Sequence, residues 1–108
     1  MRNNKKAGNA YELHIIHELK SMGYSAVSAR YASRLSDDAG IDIISDFPYK
    51  IQCKSSINQP NAHEILTTKE CDVIFFRKQA KANCNFVTKG EYVMLTKEDF
   101  YKLVNSKQ

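Results

Sequence analysis

The feature that most constrains this chain is a carboxylate set inside an apolar run. Residues 41–44 read Ile-Asp-Ile-Ile, and a second run, Lys50-Ile51-Gln52-Cys53-Lys54, follows a tight turn at Asp46-Phe47-Pro48. Strand alternation puts Ile41 and Ile43 on one face and Asp42 with Ile44 on the other. In the second run Ile51 and Cys53 point one way, Gln52 and Lys54 the other. Two such runs around a turn predict an antiparallel hairpin, Ile41–Ser45 with Lys50–Lys54. Cross-strand partners share a face, so a turn centred near Phe47 or Pro48 sets Asp42 opposite Gln52 or Lys54. A buried unpaired charge is costly, so the fold must give Asp42 a cation, a donor or a metal, or leave it in water at an edge.

The remaining pattern predicts one sheet with helices. An apolar stripe over Gly8–Met22 predicts a helix ended by Gly23, and Tyr24–Arg30 alternates as a strand. Tyr31–Gly40 is polar and reads as a loop, as does Ser55–Asn61. Ala62–Lys69 reads as a short helix, and Cys71–Phe76 as a buried strand. Arg77–Gly90 is basic and loop-like, and Glu91–Leu95 is a fifth strand. Thr96 then caps a last helix with Phe100, Leu103 and Val104 as its stripe. The order α-β-β-β-(α)-β-β-α predicts an α/β architecture, a central mixed five-stranded sheet flanked by helices. With 108 residues there is room for one core, so residues 1–108 read as a single domain.

The first helix carries its own misfit. Its stripe runs Glu12, Ile15, Ile16, Leu19, so a carboxylate begins an otherwise apolar face. Each anomaly also has a plain structural reading. Glu12 in a first turn favours the helix dipole and stays wet, Asp42 sits in water on an edge strand, and residues 50–54 form a half-exposed strand. Together they mean more. A helix packed on the hairpin would bring two carboxylates, an amide oxygen and an ammonium to one place. Hard divalent cations take oxygen ligands, and Mg²⁺ needs only one or two carboxylates. A lysine alongside can hold an attacking water or offset developing negative charge. That set is suited to metal-assisted phosphodiester hydrolysis.

The arrangement Glu12 … Asp42 … Gln52-x-Lys54 resembles the PD-(D/E)xK nuclease superfamily, and within it the archaeal and phage Holliday-junction resolvases. The resemblance covers roughly residues 3–57, including NNKKAGNAYE, RYASRLSDDAGIDI and IQCKSS. It implies a restriction-endonuclease-like fold and a crossover-junction endodeoxyribonuclease dependent on Mg²⁺, with Mn²⁺ as a substitute. It implies Glu12, Asp42, Gln52 and Lys54 as the catalytic set, with Glu12, Asp42, Gln52 and the Cys53 backbone carbonyl around the metal. It implies DNA contacts from Lys5, Lys6, Arg30, Ser33 and Arg34, and Ser55 in the IQCKSS run joins them. The family's third acid is Gln52 here, as in Mrr-like restriction members. An amide oxygen ligates without charge, so metal affinity is expected to fall. Asp37 and Asp38 compete with Asp42 for the ligand role; Asp42 is preferred for its place in a strand.

Charge points the same way. The chain carries 16 Lys+Arg against 12 Asp+Glu, a net +4 that favours a polyanionic partner. Arg77, Lys78, Lys81 and Lys89 fall in a stretch free of acids, residues 73–90, which reads as a phosphate-tracking surface or a solvated loop. Cys53, Cys71 and Cys84 are too widely spaced for a structural zinc and are expected as reduced thiols. His14, His17 and His63 read as surface residues. No run approaches the ~18 apolar residues of a membrane span, and the N-terminus lacks the apolar core of a secretion signal. The expected setting is cytoplasmic, on nucleoid or viral DNA. A four-way junction has two-fold symmetry and two strands to cut, so a homodimer on branched DNA is expected. The rivals are a Mrr-like nuclease on duplex DNA and a catalytically silent DNA-binding module.

Overall fold

A computed structural model describes residues 3–105, with side chains from residue 9 onward. The elements are α1 (Asn3–Ser21), β1 (Ala26–Ser28), α2 (Ala29–Ala32), α3 (Arg34–Asp38), β2 (Ile43–Ser45), β3 (Ile51–Ser56), α4 (Ala62–Thr68), β4 (Val73–Ala82), β5 (Asn85–Met94) and α5 (Lys97–Asn105). The five strands form one mixed sheet in sequence order, antiparallel except where β3 and β4, joined through α4, run parallel. The α/β architecture with a five-stranded sheet flanked by helices is therefore as expected.

The stripe on α1 makes the core. Tyr11, Ile15, Ile16 and Leu19 pack with Ala26, Ile43, Ile51 and Val73 in one buried cluster. Leu13 and Met22 lie off that stripe and are exposed. Gly23 ends the helix at φ +97°, a left-handed value that costs glycine nothing, and Tyr24 N–H donates back to the Leu19 carbonyl. On α5 the Thr96 hydroxyl caps the Asp99 N–H, yet Phe100 and Val104 stay half exposed, so the last helix covers the sheet only in part.

Three expectations need correction. The expected strand Tyr24–Arg30 shrinks to Ala26–Ser28. The expected loop Tyr31–Gly40 is mostly helical: α2 begins directly after β1, and Ser33 caps α3 by accepting from Ser36 N–H (3.2 Å). Arg77–Gly90 is a β-ribbon in which β4 and β5 pair from Ile74↔Met94 to Ala82↔Asn85. Asn83 turns it with a φ of 58°, which asparagine tolerates. The ribbon's outer half is largely exposed, so its residues show no buried-face alternation to read. Cys53, Cys71 and Cys84 are free thiols, and Cys84 is exposed near the turn. No helix among the described residues is long and apolar enough to cross a membrane.

The packing of α1 yields a stability prediction. Ile51 is wholly buried at the centre of the cluster, and Ile51→Ala should lower unfolding free energy by about 2–5 kcal/mol in urea. Leu13→Ala, on the exposed side of α1, should change it by less than about 0.5 kcal/mol.

Candidate active site

Asp42 is where the sheet parts. β2 and β3 share a single residue pair, Ile43↔Ile51. Asp42 lies just before β2 rather than inside it, yet its backbone is tied on both sides. Its N–H donates to the Ile51 carbonyl (2.8 Å), and its carbonyl accepts from Ala29 N–H (2.9 Å). Its Oδ2 accepts the Cys53 N–H at 2.8 Å, so a side chain replaces a strand carbonyl there. Burial pushes the Asp42 carboxyl up to about 6. The Cys53 N–H opposes that shift, Glu12 and Asp37 add to it, and Lys54 opposes it.

Glu12 is neither in a first turn nor wet. The helix begins at Asn3, which places Glu12 in mid-helix, 6% exposed. Its Oε1 accepts from the Ser28 hydroxyl (2.8 Å) and meets Arg30 Nη2 (3.2 Å). Arg30 Nη1 also donates to Asn9 Oδ1, and the guanidinium lies 5.0 Å from the Tyr31 ring centre. Arg30, expected on DNA, is thus the counter-ion of Glu12, and its Nε is buried without a hydrogen-bond partner.

Gln52 and Lys54 alternate away from Ile51 and Cys53, which pack toward α1. Gln52 is 7% exposed. Its Nε2 donates to the Gly40 carbonyl (3.0 Å), while its Oε1 is buried without a hydrogen-bond partner. Gly40 holds φ +91°, and an added Cβ would meet the Lys69 side chain at 2.9 Å, so both its conformation and its space require glycine. Lys54 is exposed and borders a cavity of about 670 Å³. Cys53 contributes its N–H; its thiol is pushed up by burial first, then by Asp42 and Glu12, and stays protonated.

The four residues do not form one bonded cluster, and Glu12 and Lys54 border different cavities. Glu12 bonds Ser28 and Arg30, Gln52 bonds Gly40, and the charges of Glu12 and Lys54 act on Asp42 through space. Among the described residues no group of three or more His, Cys, Asp or Glu is poised around a common metal. The Gln52 amide oxygen and the Asp42 carboxyl, whose ionised form burial opposes, are the groups here that a bound cation would stabilise. Of the competing acids, Asp38 is exposed, and Asp37 acts on Asp42 as a nearby charge.

The expected DNA-contacting residues divide. Lys5 and Lys6 lie outside the described side chains. Ser33 caps α3 and Arg34 is exposed. Ser55 accepts from Arg77 Nε (3.0 Å), and Arg77 covers the Tyr11 ring at 4.8 Å. Lys78 Nζ donates to the Ile57 carbonyl, whereas Lys81 is exposed on the ribbon. His14 pairs with Glu18 (3.1 Å) on the surface of α1, and His17 and His63 are exposed. Sequence reasoning missed Ser28, Arg30 and Gly40 as supports of the site. Only Gly40 left a signal, a glycine two residues before the acid. The chain matches no protein-family model, no curated protein and no solved structure.

The Asp42 environment makes stability depend on pH. In metal-free buffer the unfolded carboxyl titrates near 3.8 and the folded one near 6. Between those values the folded chain retains a proton that the unfolded chain has released, so stability falls as pH rises and then levels off. Asp42→Asn should flatten that decline by about 2–3 kcal/mol in urea melts across the window.

Proposed function

We propose that the chain is a metal-dependent, structure-selective endodeoxyribonuclease of restriction-endonuclease-like fold that resolves four-way DNA junctions by phosphodiester hydrolysis. The observation that carries this reading is the Asp42 carboxylate taking the Cys53 N–H beside the Gln52-x-Lys54 pair, with Glu12 close enough to raise its pKa. Beyond burial, the Glu12 charge raises the Asp42 carboxyl. A divalent cation would offset that repulsion, and the unpartnered Gln52 amide oxygen is a further candidate ligand for it.

Glu12 and Asp42 would hold Mg²⁺ or Mn²⁺, with Gln52 adding its amide oxygen and Cys53 its backbone carbonyl. When bound, the ion supplies Lewis-acid polarisation of the scissile phosphate. Lys54, exposed at the margin of the site, orients a water for in-line attack and offsets the charge that grows on the phosphate oxygens. The water forms the new P–O bond and the bond to the leaving strand breaks, its oxygen ending protonated. Arg30 acts through Glu12 by fixing that carboxylate. Arg34, Lys81 and Lys89 supply phosphate contacts, which position DNA without reading its sequence. Selectivity for branched DNA would then come from shape and deformability, with a homodimer presenting two sites to the two strands. The corresponding setting is the cytoplasm, on nucleoid or viral DNA.

Lys54→Ala should abolish cleavage of a labelled four-way junction while leaving its binding nearly intact, since one charge among several phosphate contacts carries little affinity. Full cleavage by that variant would remove Lys54 from the mechanism. Gln52→Glu should move the magnesium titration of cleavage to lower concentration, because it restores a charged ligand. The wild-type chain should bind a junction more than about tenfold more tightly than linear duplex of the same sequence. Equal binding and cutting of both would favour the Mrr-like reading, and metal-independent binding without any cutting would leave a silent DNA-binding module.

A further inference from the structure

We propose that the cavity beside Lys54 is a pocket for one unstacked nucleobase of the bound DNA strand. The inference rests on the nuclease reading and adds to it a means of choosing which phosphate is cut. The cavity measures about 670 Å³, within the usual range for small-molecule sites, and lies between the turn after β3, the start of α4 and the β4–β5 ribbon.

Its lining suits a base better than a phosphate. Asn58, Asn61 and Gln79 each present an amide with both donor and acceptor capacity, the chemistry that reads base edges. Asn61 Oδ1 already accepts the Glu64 N–H (3.1 Å) as the cap of α4, so its amide nitrogen remains as the donor. Glu64 also lines the cavity. A carboxylate repels phosphate and accepts from an exocyclic amino group. Phe86 borders the same space and is 48% exposed, a large ring lying in water unless something stacks on it. Base–aromatic stacking is the commonest way a protein holds an unpaired base.

Position makes the assignment specific. Lys54, the residue placed at the scissile phosphate, forms one edge of the cavity, so a base held there belongs to a nucleotide next to the cut. A register shift between Lys78 and Gln79 marks a β-bulge, which bends and twists a ribbon. Beyond it Gln79 and Phe86 reach the cavity, and Lys81, paired across the ribbon with Phe86, remains exposed for the backbone of the same strand. Extruding a base from a paired stack is costly, and least so where pairing is already strained. A branch point offers such a base.

The test uses the full chain and a four-way junction carrying 2-aminopurine in turn at each nucleotide flanking the branch, with calcium present and magnesium left out. The emission of 2-aminopurine rises when the base leaves the stack. At saturating protein the emission should rise strongly at one position in each cut strand. Phe86→Ala should lower that rise by about threefold or more through loss of the stacking partner. Gln79→Ala should lower it as well, and Phe100→Ala, away from the cavity, should leave it unchanged. DNA binding with no position-specific rise, or a rise untouched by both Phe86→Ala and Gln79→Ala, would overturn the base pocket and leave the nuclease reading standing. Failure to bind DNA at all would overturn both.

Discussion

The structure depends on one substitution of side chain for backbone, the Asp42 carboxylate accepting the Cys53 N–H. β2 and β3 pair through a single residue pair. Without that carboxylate, β3 would carry an unsatisfied N–H at the point where its neighbour departs. The bond keeps β3 attached where the strands separate. The same residue anchors the start of α2 through its carbonyl and Ala29. Strand divergence, helix placement and site geometry therefore share one residue.

That arrangement has an electrostatic cost that falls unevenly on the two acids. Glu12 is buried but compensated, by the Arg30 guanidinium and the Ser28 hydroxyl. Asp42 receives one backbone donor and the charge of Lys54, against burial and two like charges, and its carboxyl is raised accordingly. A fixed counter-ion makes Glu12 a structural charge as well as a candidate ligand. Asp42 is left responsive to whatever cation or proton approaches. The division follows from topology: Arg30 comes from the helix directly after β1, which pairs with β2 and packs beneath α1, so its reach is to α1 and Glu12.

Much of the site was legible because its residues violate the pattern around them. An acid in a helix stripe, an acid in an apolar run and a Gln-x-Lys pair on an alternating strand are each conspicuous. The observed register pairs Ile43 with Ile51, and Asp42 reaches β3 through the Ile51 carbonyl and the Cys53 N–H. What was not legible is how each charge is handled. Nothing local marks Arg30 as a partner of Glu12 rather than of solvent, because an arginine after a strand looks the same in either role. The helix α3 was hidden in polar residues whose order depends on the Ser33 cap, and the outer β-ribbon was hidden by exposure on both faces.

The sequence by itself determined the α1 stripe, the apolar strands, the Thr96 cap and the identity of the unusual polar residues. These rest on local periodicity and local hydrogen bonding, which a neighbouring segment does not alter. Tertiary structure alone decided that Glu12 is buried and paired, that Gln52 keeps one amide oxygen unsatisfied beside Gly40, and that Asp42 completes a ladder with its side chain. Each of those depends on a segment between 11 and 18 residues away, on how closely it approaches and on what water it displaces. Such long-range desolvation is set by packing and leaves no trace in residue order.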